Sequence, residues 1–428
     1  MRQIFSRKIL LLDVVVIACF LYFTVSGLYG GPAALQVAAQ AGRNSTAVGD
    51  GDLPRSTERE RNQHENENPR GTKKERKKKG ELKRQRNSRA PLPAIEPSGG
   101  AALRGIDLAE YTPEERAVLG ARMSEMESRA STVSGVCQAT PSISGATAID
   151  LFIWDTDHTP SIVWCPIYKV ASTTWMNNFF VVANLSKSNE SILERFNQKL
   201  EWKKRKGNDI KQFFDHKLVY DLYPGPQAPE ERERVLRNSM RVIIVRHPFS
   251  RILSVYRDKM TSRMPRPVKF KFKELQAYIR KTYRSRHSSN KSRFPSFPEF
   301  IQYVIDSTGN LTSYEDWKGN VNCWLPYWVR CTVCSLDYNI IIKLETMEED
   351  KRFLATLSRL NELKDKDTWM HLRAVSSSDL GTKYYKQLTR HQILQLYERY
   401  EPDFKLFQYD IKDYLDNAID SRERSANS

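Results

Sequence analysis

The chain has 428 residues, 40% hydrophobic and 11% aromatic, which is enough apolar material for one large domain or two ordinary ones and too much for a chain disordered throughout. Its formal net charge of +17 resembles that of a nucleic-acid binder, but residues 70–89 hold eleven Lys and Arg against Glu75 and Glu81. About half of the surplus sits in that one run, so no nucleic-acid partner is expected for the rest of the chain.

Residues 9–29, "ILLLDVVVIACFLYFTVSGLY", are almost wholly apolar, and roughly 20 such residues suffice for a membrane-spanning helix. Asp13 is the one charge, close to the basic end where its cost is smaller. Arg2, Arg7 and Lys8 precede the segment and Arg43 follows, a bias that places the N-terminus in the cytosol and the bulk of the chain in a lumen. A cleaved signal peptide is the competing reading, since Val25, Ser26 and Gly27 are small residues after an apolar run. The expected organisation is a cytosolic tail at 1–8, an anchor at 9–29, a stem at 30–105, a folded domain at 106–414 and a C-terminal tail at 415–428. The stem is rich in Gly, Pro, Ser, Asn and charge, a composition that buries too little surface to fold. Its basic run reads as a solvated tether or as an attachment to a polyanion or acidic membrane.

The domain opens on "TPEERAVLGARMSEMESRA", a helix with Thr112 as N-cap and Pro113 in first position. Residues 161–167, "SIVWCPI", form a buried-strand pattern. The loop "YKVASTTW" and an apolar helix follow. A strand-to-helix turn presents unpaired N–H groups and the positive end of the helix dipole, so it suits an anion. Lys169 adds a charge there, and Ser172, Thr173 and Thr174 add hydroxyls, where an ordinary N-cap needs only one. The G-x-x-x-x-G-K-[ST] pattern of nucleoside triphosphatases is missing.

A second strand, "MRVIIV" at 240–245, runs into "RHPFSRILSVYRDK". Pro248 opens a helix whose Phe249, Ile252, Leu253 and Tyr256 share one buried face, with Arg251, Ser254 and Asp258 on another. Arg246 at the strand end and Ser254 two turns on can reach one phosphate; a basic amphipathic helix with no ligand fits the periodicity as well. A third strand at 339–345, "NIIIKLE", precedes Thr346, which with Glu349 forms a T-x-x-E capping box. Strand, loop and helix in repetition predict an α/β sheet, mainly parallel, with ligands outside the carboxyl ends of its strands.

Lumenal chemistry agrees. Sequons occur at Asn44, Asn184, Asn189, Asn290 and Asn310. Cys137, Cys165, Cys323, Cys331 and Cys334 lie beyond the apolar segment. Five is odd, so at least one stays unpaired or bridges two chains. Cys331 and Cys334 are spaced like a zinc or redox pair, but without a second C-x-x-C a structural disulfide role is the better reading.

Together "YKVASTTW" and "RHPFSRILSVYRDK" resemble the two nucleotide-binding signatures of Golgi carbohydrate sulfotransferases: a P-K-V-A-C-T-N-W loop for a 5′-phosphosulfate and an R-H-P-F-x-R-L-x-S-A-Y-R-D-K element for a 3′-phosphate. "CWLPYWVRCTVCSLDYNIIIKLET" and "YEPDFKLFQYD" are also similar to that family, so the resemblance spans 161–410. The branch is the one acting on chondroitin, dermatan, GalNAc and terminal glucuronyl glycans. Tyr168 stands where the family usually has proline, Ser172 where it often has cysteine, Thr174 where it often has asparagine, and Cys323 where it usually has histidine before Trp324.

The resemblance implies a P-loop-like sulfotransferase fold, a mainly parallel sheet flanked by helices. It implies transfer of a sulfonate from 3′-phosphoadenosine 5′-phosphosulfate, without a metal, to a hydroxyl of a glycan or proteoglycan, with GalNAc in chondroitin- or dermatan-type chains as the expected acceptor, at the Golgi membrane. Lys169, Val170, Ala171, Ser172, Thr173 and Thr174 would hold the phosphosulfate, and Arg246, His247, Pro248, Arg251 and Ser254 the 3′-phosphate. Lys169 would stabilise the charge that develops in transfer. A general base is also needed; His216 and His158 are candidates, and each also reads as an ordinary surface or structural histidine. The alternatives are a catalytically inactive glycan-binding relative and a lumenal kinase.

Overall fold

The computed structural model describes residues 95, 98–144, 152–185, 194, 216–265, 270–321, 323–360 and 377–419. The expected cytosolic tail, anchor and nearly all of the stem lie outside them, as do Asn44 and Asn189. Four strands form one sheet in the order β1 (Ile153–Asp155), β2 (Ile162–Cys165), β3 (Met240–Val245) and β4 (Ile340–Lys343). β2, β3 and β4 run parallel, and β1 lies antiparallel along β2. All six residues of β3 are buried, as expected of a parallel strand covered on both faces.

Seven helices matter for the site: α1 (Pro113–Ala139), α2 (Ser172–Leu185), α3 (His216–Leu222), α4 (Pro248–Val255), α5 (Tyr327–Arg330), α6 (Met347–Leu357) and α7 (Arg390–Leu406). α1 starts where its sequence dictates: Thr112 Oγ1 accepts from Glu115 N–H at 3.2 Å, and Glu115 accepts from Thr112 N–H at 3.0 Å. Leu119, Met126, Ala130, Val133 and Cys137 form its buried stripe, packed on β4, α6 and α7. Within that contact Asp350, fully buried, accepts from Arg129 at 2.6 Å, from Lys343 N–H at 2.9 Å and from Arg122. Arg129 also donates to the Ile341 carbonyl at 2.8 Å, which ties α1 to β4.

Three expectations change. Asp350 prevents the capping box at Thr346: the Thr346 hydroxyl donates to Asp350 Oδ2 at 2.7 Å and accepts no helix N–H, after a 3₁₀ turn over Leu344–Thr346. The last part of the presumed stem packs on the domain, with Ile95 and Leu103 buried and Ile95 N–H donating to the Ser335 carbonyl at 2.9 Å. At the other end Ile419 N–H donates to the Leu388 carbonyl at 2.9 Å, so folded chain continues beyond 414.

The cysteines pair at a distance. Cys137 bonds Cys334, Cys165 bonds Cys331, and Cys323 is buried outside any disulfide. The C-x-x-C spacing is therefore two separate staples, one of which fixes the end of β2.

Candidate active site

The carboxyl ends of β2, β3 and β4 lie along one edge of the sheet. Past β2 the chain turns through 168–171, with Lys169 at φ 69° and Ala171 at φ 61°. Left-handed backbone is uncommon for residues with a Cβ and costs about 1–2 kcal/mol each, so the surroundings must hold it. Val170 between them is fully buried, and the Cys165–Cys331 disulfide anchors the strand behind. Trp175 N–H donates to the Ala171 carbonyl at 3.1 Å, the first bond of α2. The N–H groups ahead of it have no helical acceptor. Ser172 is buried at the helix start; Thr173 and Thr174 are half-buried, and their hydroxyls have no hydrogen-bond partner among the described residues. The turn is thus a set of donors at a helix N-terminus, suited to an anion.

Lys169 is not alone there. Its Nζ lies 2.5 Å from Asp258 Oδ2, Lys259 Nζ lies 2.9 Å from the same oxygen, and the Tyr168 hydroxyl donates to it at 3.2 Å. Asp258 and Lys259 sit on a π-turn, Tyr256–Met260, that continues α4; such turns recur at functional sites. Burial works to raise the Asp258 pKa, but Lys169 and then Lys259 hold it below the usual carboxylate value. Burial lowers the Lys169 pKa against the opposing pull of Asp258. Cys323 adjoins this group, and burial pushes its thiol up to about 11 against the opposing pull of Lys259 and Lys169. Tyr168, Lys169, Asp258, Lys259 and Cys323 thus make one polar cluster under the turn.

Past β3, Arg246 is fixed by its backbone: its N–H donates to the Tyr327 hydroxyl at 2.9 Å, and that hydroxyl donates to the Arg246 carbonyl at 2.9 Å. Its guanidinium makes no hydrogen bond or ion pair among the described residues. His247 caps α4, with Nδ1 accepting from Phe249 N–H at 3.2 Å. This assigns the proton to Nε2, which donates to the Asp410 carbonyl at 2.8 Å. Burial lowers its pKa, in keeping with a neutral ring. Its N–H donates to Glu345, which also accepts from the Tyr409 hydroxyl at 2.8 Å. Pro248 is buried at the helix start. Half-buried Ser254 has no hydroxyl partner among the described residues.

Arg251 behaves differently from its expected phosphate role. It is 2% exposed; its Nε donates to the Tyr168 carbonyl at 3.1 Å, another N–H reaches the Leu325 carbonyl, and its guanidinium lies 4.6 Å from the Tyr327 ring centre. It braces the turn from beneath. Periodicity put Arg251 on the polar face; the loop carbonyls that cover it come from chain far away in sequence.

The candidate histidines separate. Asp155 pairs with Ile162 at the start of β2, so His158, 2.8 Å from the buried Asp155 carboxylate, stands at the opposite edge of the sheet from Lys169. That placement removes it as the base. His216 opens α3, but its side chain lies outside the described residues. Among the described residues, no cluster of His, Cys, Asp or Glu could hold a metal. Sequence reasoning missed Tyr168, Asp258, Lys259 and Cys323 as site residues; the signal was the acid-base step Asp258–Lys259 at the end of the second motif.

Comparison with known proteins matches residues 152–410 to the sulfotransferase family. The chain belongs to this family. The matched span holds both turns and the whole polar cluster. Among similar proteins are carbohydrate sulfotransferase 10 of Danio rerio, 24% identical over 60% of this chain and 66% of the relative, and carbohydrate sulfotransferase 11 of Rattus norvegicus, 23% identical over 61% and 67%. Carbohydrate sulfotransferase 10 of Xenopus laevis is 26% identical over 63% of this chain and 71% of its own. The chain thus aligns with about two-thirds of the length of these relatives. No solved structure matches it significantly.

Proposed function

We propose that the protein transfers a sulfonate group from 3′-phosphoadenosine 5′-phosphosulfate to a hydroxyl of a glycan. The observation that carries this reading is the pair of donor sets at the ends of the neighbouring parallel strands β2 and β3. One is the turn with Lys169, Thr173 and Thr174; the other is Arg246 with Ser254. Two separated anion sites suit a nucleotide with phosphate groups at both ends of its ribose.

The residues present fit that donor. The N–H groups and hydroxyls of 169–174 would hold its 5′ end, and Arg246 and Ser254 its 3′-phosphate. When bound, it supplies an activated sulfonate on a phosphate leaving group. Transfer spreads negative charge over the sulfonate and the departing phosphate oxygens, and fixed donors stabilise such charge without reorganising. Lys169 is the full charge nearest that path. Arg251, Tyr327 and the Cys165–Cys331 disulfide keep the two turns in place.

The acceptor reading, GalNAc in chondroitin- or dermatan-type chains, rests on the family resemblance. A Golgi-lumenal domain behind a single-pass anchor is supported by the apolar 9–29 segment and by two disulfides, which persist in oxidising compartments. Cys323 in place of the family's usual histidine favours one rival, an inactive glycan-binding relative. Transfer of labelled sulfonate from the donor to a panel of desulfated glycans separates the two. Incorporation into at least one acceptor is expected; no incorporation into any, by folded protein, overturns the enzymatic reading.

A further inference from the structure

Sulfonate transfer to a hydroxyl liberates a proton, and its acceptor must stand beside the Lys169 ammonium, where the donor's reacting end would lie. The carboxylate there is Asp258. Among the described residues its three close contacts, with the Tyr168 hydroxyl, Lys169 and Lys259, are all made to Oδ2. That leaves Oδ1 for an incoming hydroxyl, on a side chain 34% exposed. One oxygen is anchored and the other is open, which is how a base is oriented.

Other groups near the turn are unsuited. His158 is across the sheet beside Asp155. Both ring nitrogens of His247 are engaged, one by Phe249 N–H and one by the Asp410 carbonyl. The Cys323 thiol is buried and keeps its proton at neutral pH.

We propose that Asp258 is the general base of the transfer, a role that rests on the sulfotransfer reading above. The acceptor oxygen forms its bond to sulfur as the bond between sulfur and the 5′-phosphate oxygen breaks. The electron pair of that bond stays on the phosphate, and the hydroxyl proton passes to Asp258 Oδ1 and later to solvent. A hydroxyl gaining a bond to sulfur becomes strongly acidic, so a carboxylate suffices as acceptor. Lys169 links the two events. As its ammonium turns to the donor, Asp258 loses one of the two cations that lower its proton affinity and keeps the other, Lys259, which is 1% exposed. Donor binding thereby strengthens the base.

The test uses the full chain with three substitutions, Asp258→Asn, Asp258→Glu and Asp258→Ala, measuring transfer and, by calorimetry, binding of 3′,5′-ADP. Asp258→Asn should lower kcat by roughly 10²- to 10⁴-fold while 3′,5′-ADP affinity stays the same or rises, because Lys169 is released. Asp258→Glu should recover part of the rate, and formate should restore turnover to Asp258→Ala. Retained kcat in Asp258→Asn overturns the base. So does a loss of 3′,5′-ADP binding in step with turnover together with no rescue by formate, which is the behaviour of a merely structural ion pair. If the wild-type chain transfers to no glycan, the sulfotransfer reading fails and the base with it; an active wild type beside an active Asp258→Asn refutes the base alone.

Discussion

The Tyr168 hydroxyl and the Cys323 thiol adjoin, each bearing on the other's proton affinity, and each residue stands where the family pattern has another. Proline is usual at the first position and histidine at the second. The two departures lie together in space, because the tyrosine hydroxyl donates to Asp258 and adjoins the cysteine. Cys323→His alone inserts a larger side chain at a site 4% exposed, beside two ammonium groups, and should cost about 1–3 kcal/mol of stability. Adding Tyr168→Pro vacates space next to it. A double-mutant cycle in thermal stability should show a coupling of about 0.5–3 kcal/mol; simple additivity would mean that the two side chains do not interact.

Asp403 gives a pH dependence. It is fully buried and accepts from Tyr327 N–H at 2.8 Å and Trp328 N–H at 3.1 Å, which caps α5. Burial nevertheless raises its pKa to about 7. A carboxyl with a raised folded pKa binds its proton more tightly in the native state. Its contribution to stability is therefore full below the unfolded value and is lost as pH rises through about 7. Denaturant midpoints at pH 5 and pH 8 should differ less for Asp403→Asn than for wild type, by on the order of 2–4 kcal/mol in unfolding free energy. An unchanged difference would show that Asp403 titrates normally.

The edge of the sheet was legible because its signals are local. β3 is a continuous apolar run, Pro248 opens α4, and Thr112 with Glu115 starts α1. Arg246, Ser254 and Lys169 followed from where those elements end. What stayed hidden depends on partners distant in sequence. β1 is three residues long and is defined by its pairing with β2. Arg251 and Thr346 looked like a ligand and a cap until the Tyr168 carbonyl and Asp350 claimed them. Asp258 read as one polar residue on a helix face, and only the fold brings it to Lys169.

Composition misplaced the start of the folded part. Leu103 is 1% exposed, and Ser131 Oγ donates to the Gly99 carbonyl at 2.8 Å, holding the preceding turn on α1. Leu103→Ala should cost about 2–4 kcal/mol. A chain beginning at Leu108 should melt at a lower temperature than one beginning just before Ile95. Equal melting temperatures would return residues 95–107 to the stem.

The two disulfides should have separable effects. Each replacement by serine should cost about 2–5 kcal/mol. Cys331→Ser also releases Cys165 at the end of β2, immediately before the Lys169 turn, so 3′,5′-ADP affinity should fall with stability. Cys334→Ser frees Cys137 at the far end of α1 and should leave that affinity unchanged. Melting curves and calorimetry on the same samples decide it; equal affinity losses would contradict the anchoring role of Cys165.

The central claim is that this site binds a nucleotide carrying a 3′-phosphate, and calorimetry comparing 3′,5′-ADP with 5′-AMP tests it most directly. Among the described residues the Arg246 guanidinium at the end of β3 and the Ser254 hydroxyl on α4 make no hydrogen bond or ion pair. A charge-assisted contact of about 1.5–3 kcal/mol corresponds to a roughly 10- to 100-fold preference for 3′,5′-ADP. Arg246→Ala should abolish most of that preference, Ser254→Ala less, and Lys169→Ala should lower turnover more than it lowers product affinity. Equal binding of the two nucleotides by the wild-type protein would contradict the account.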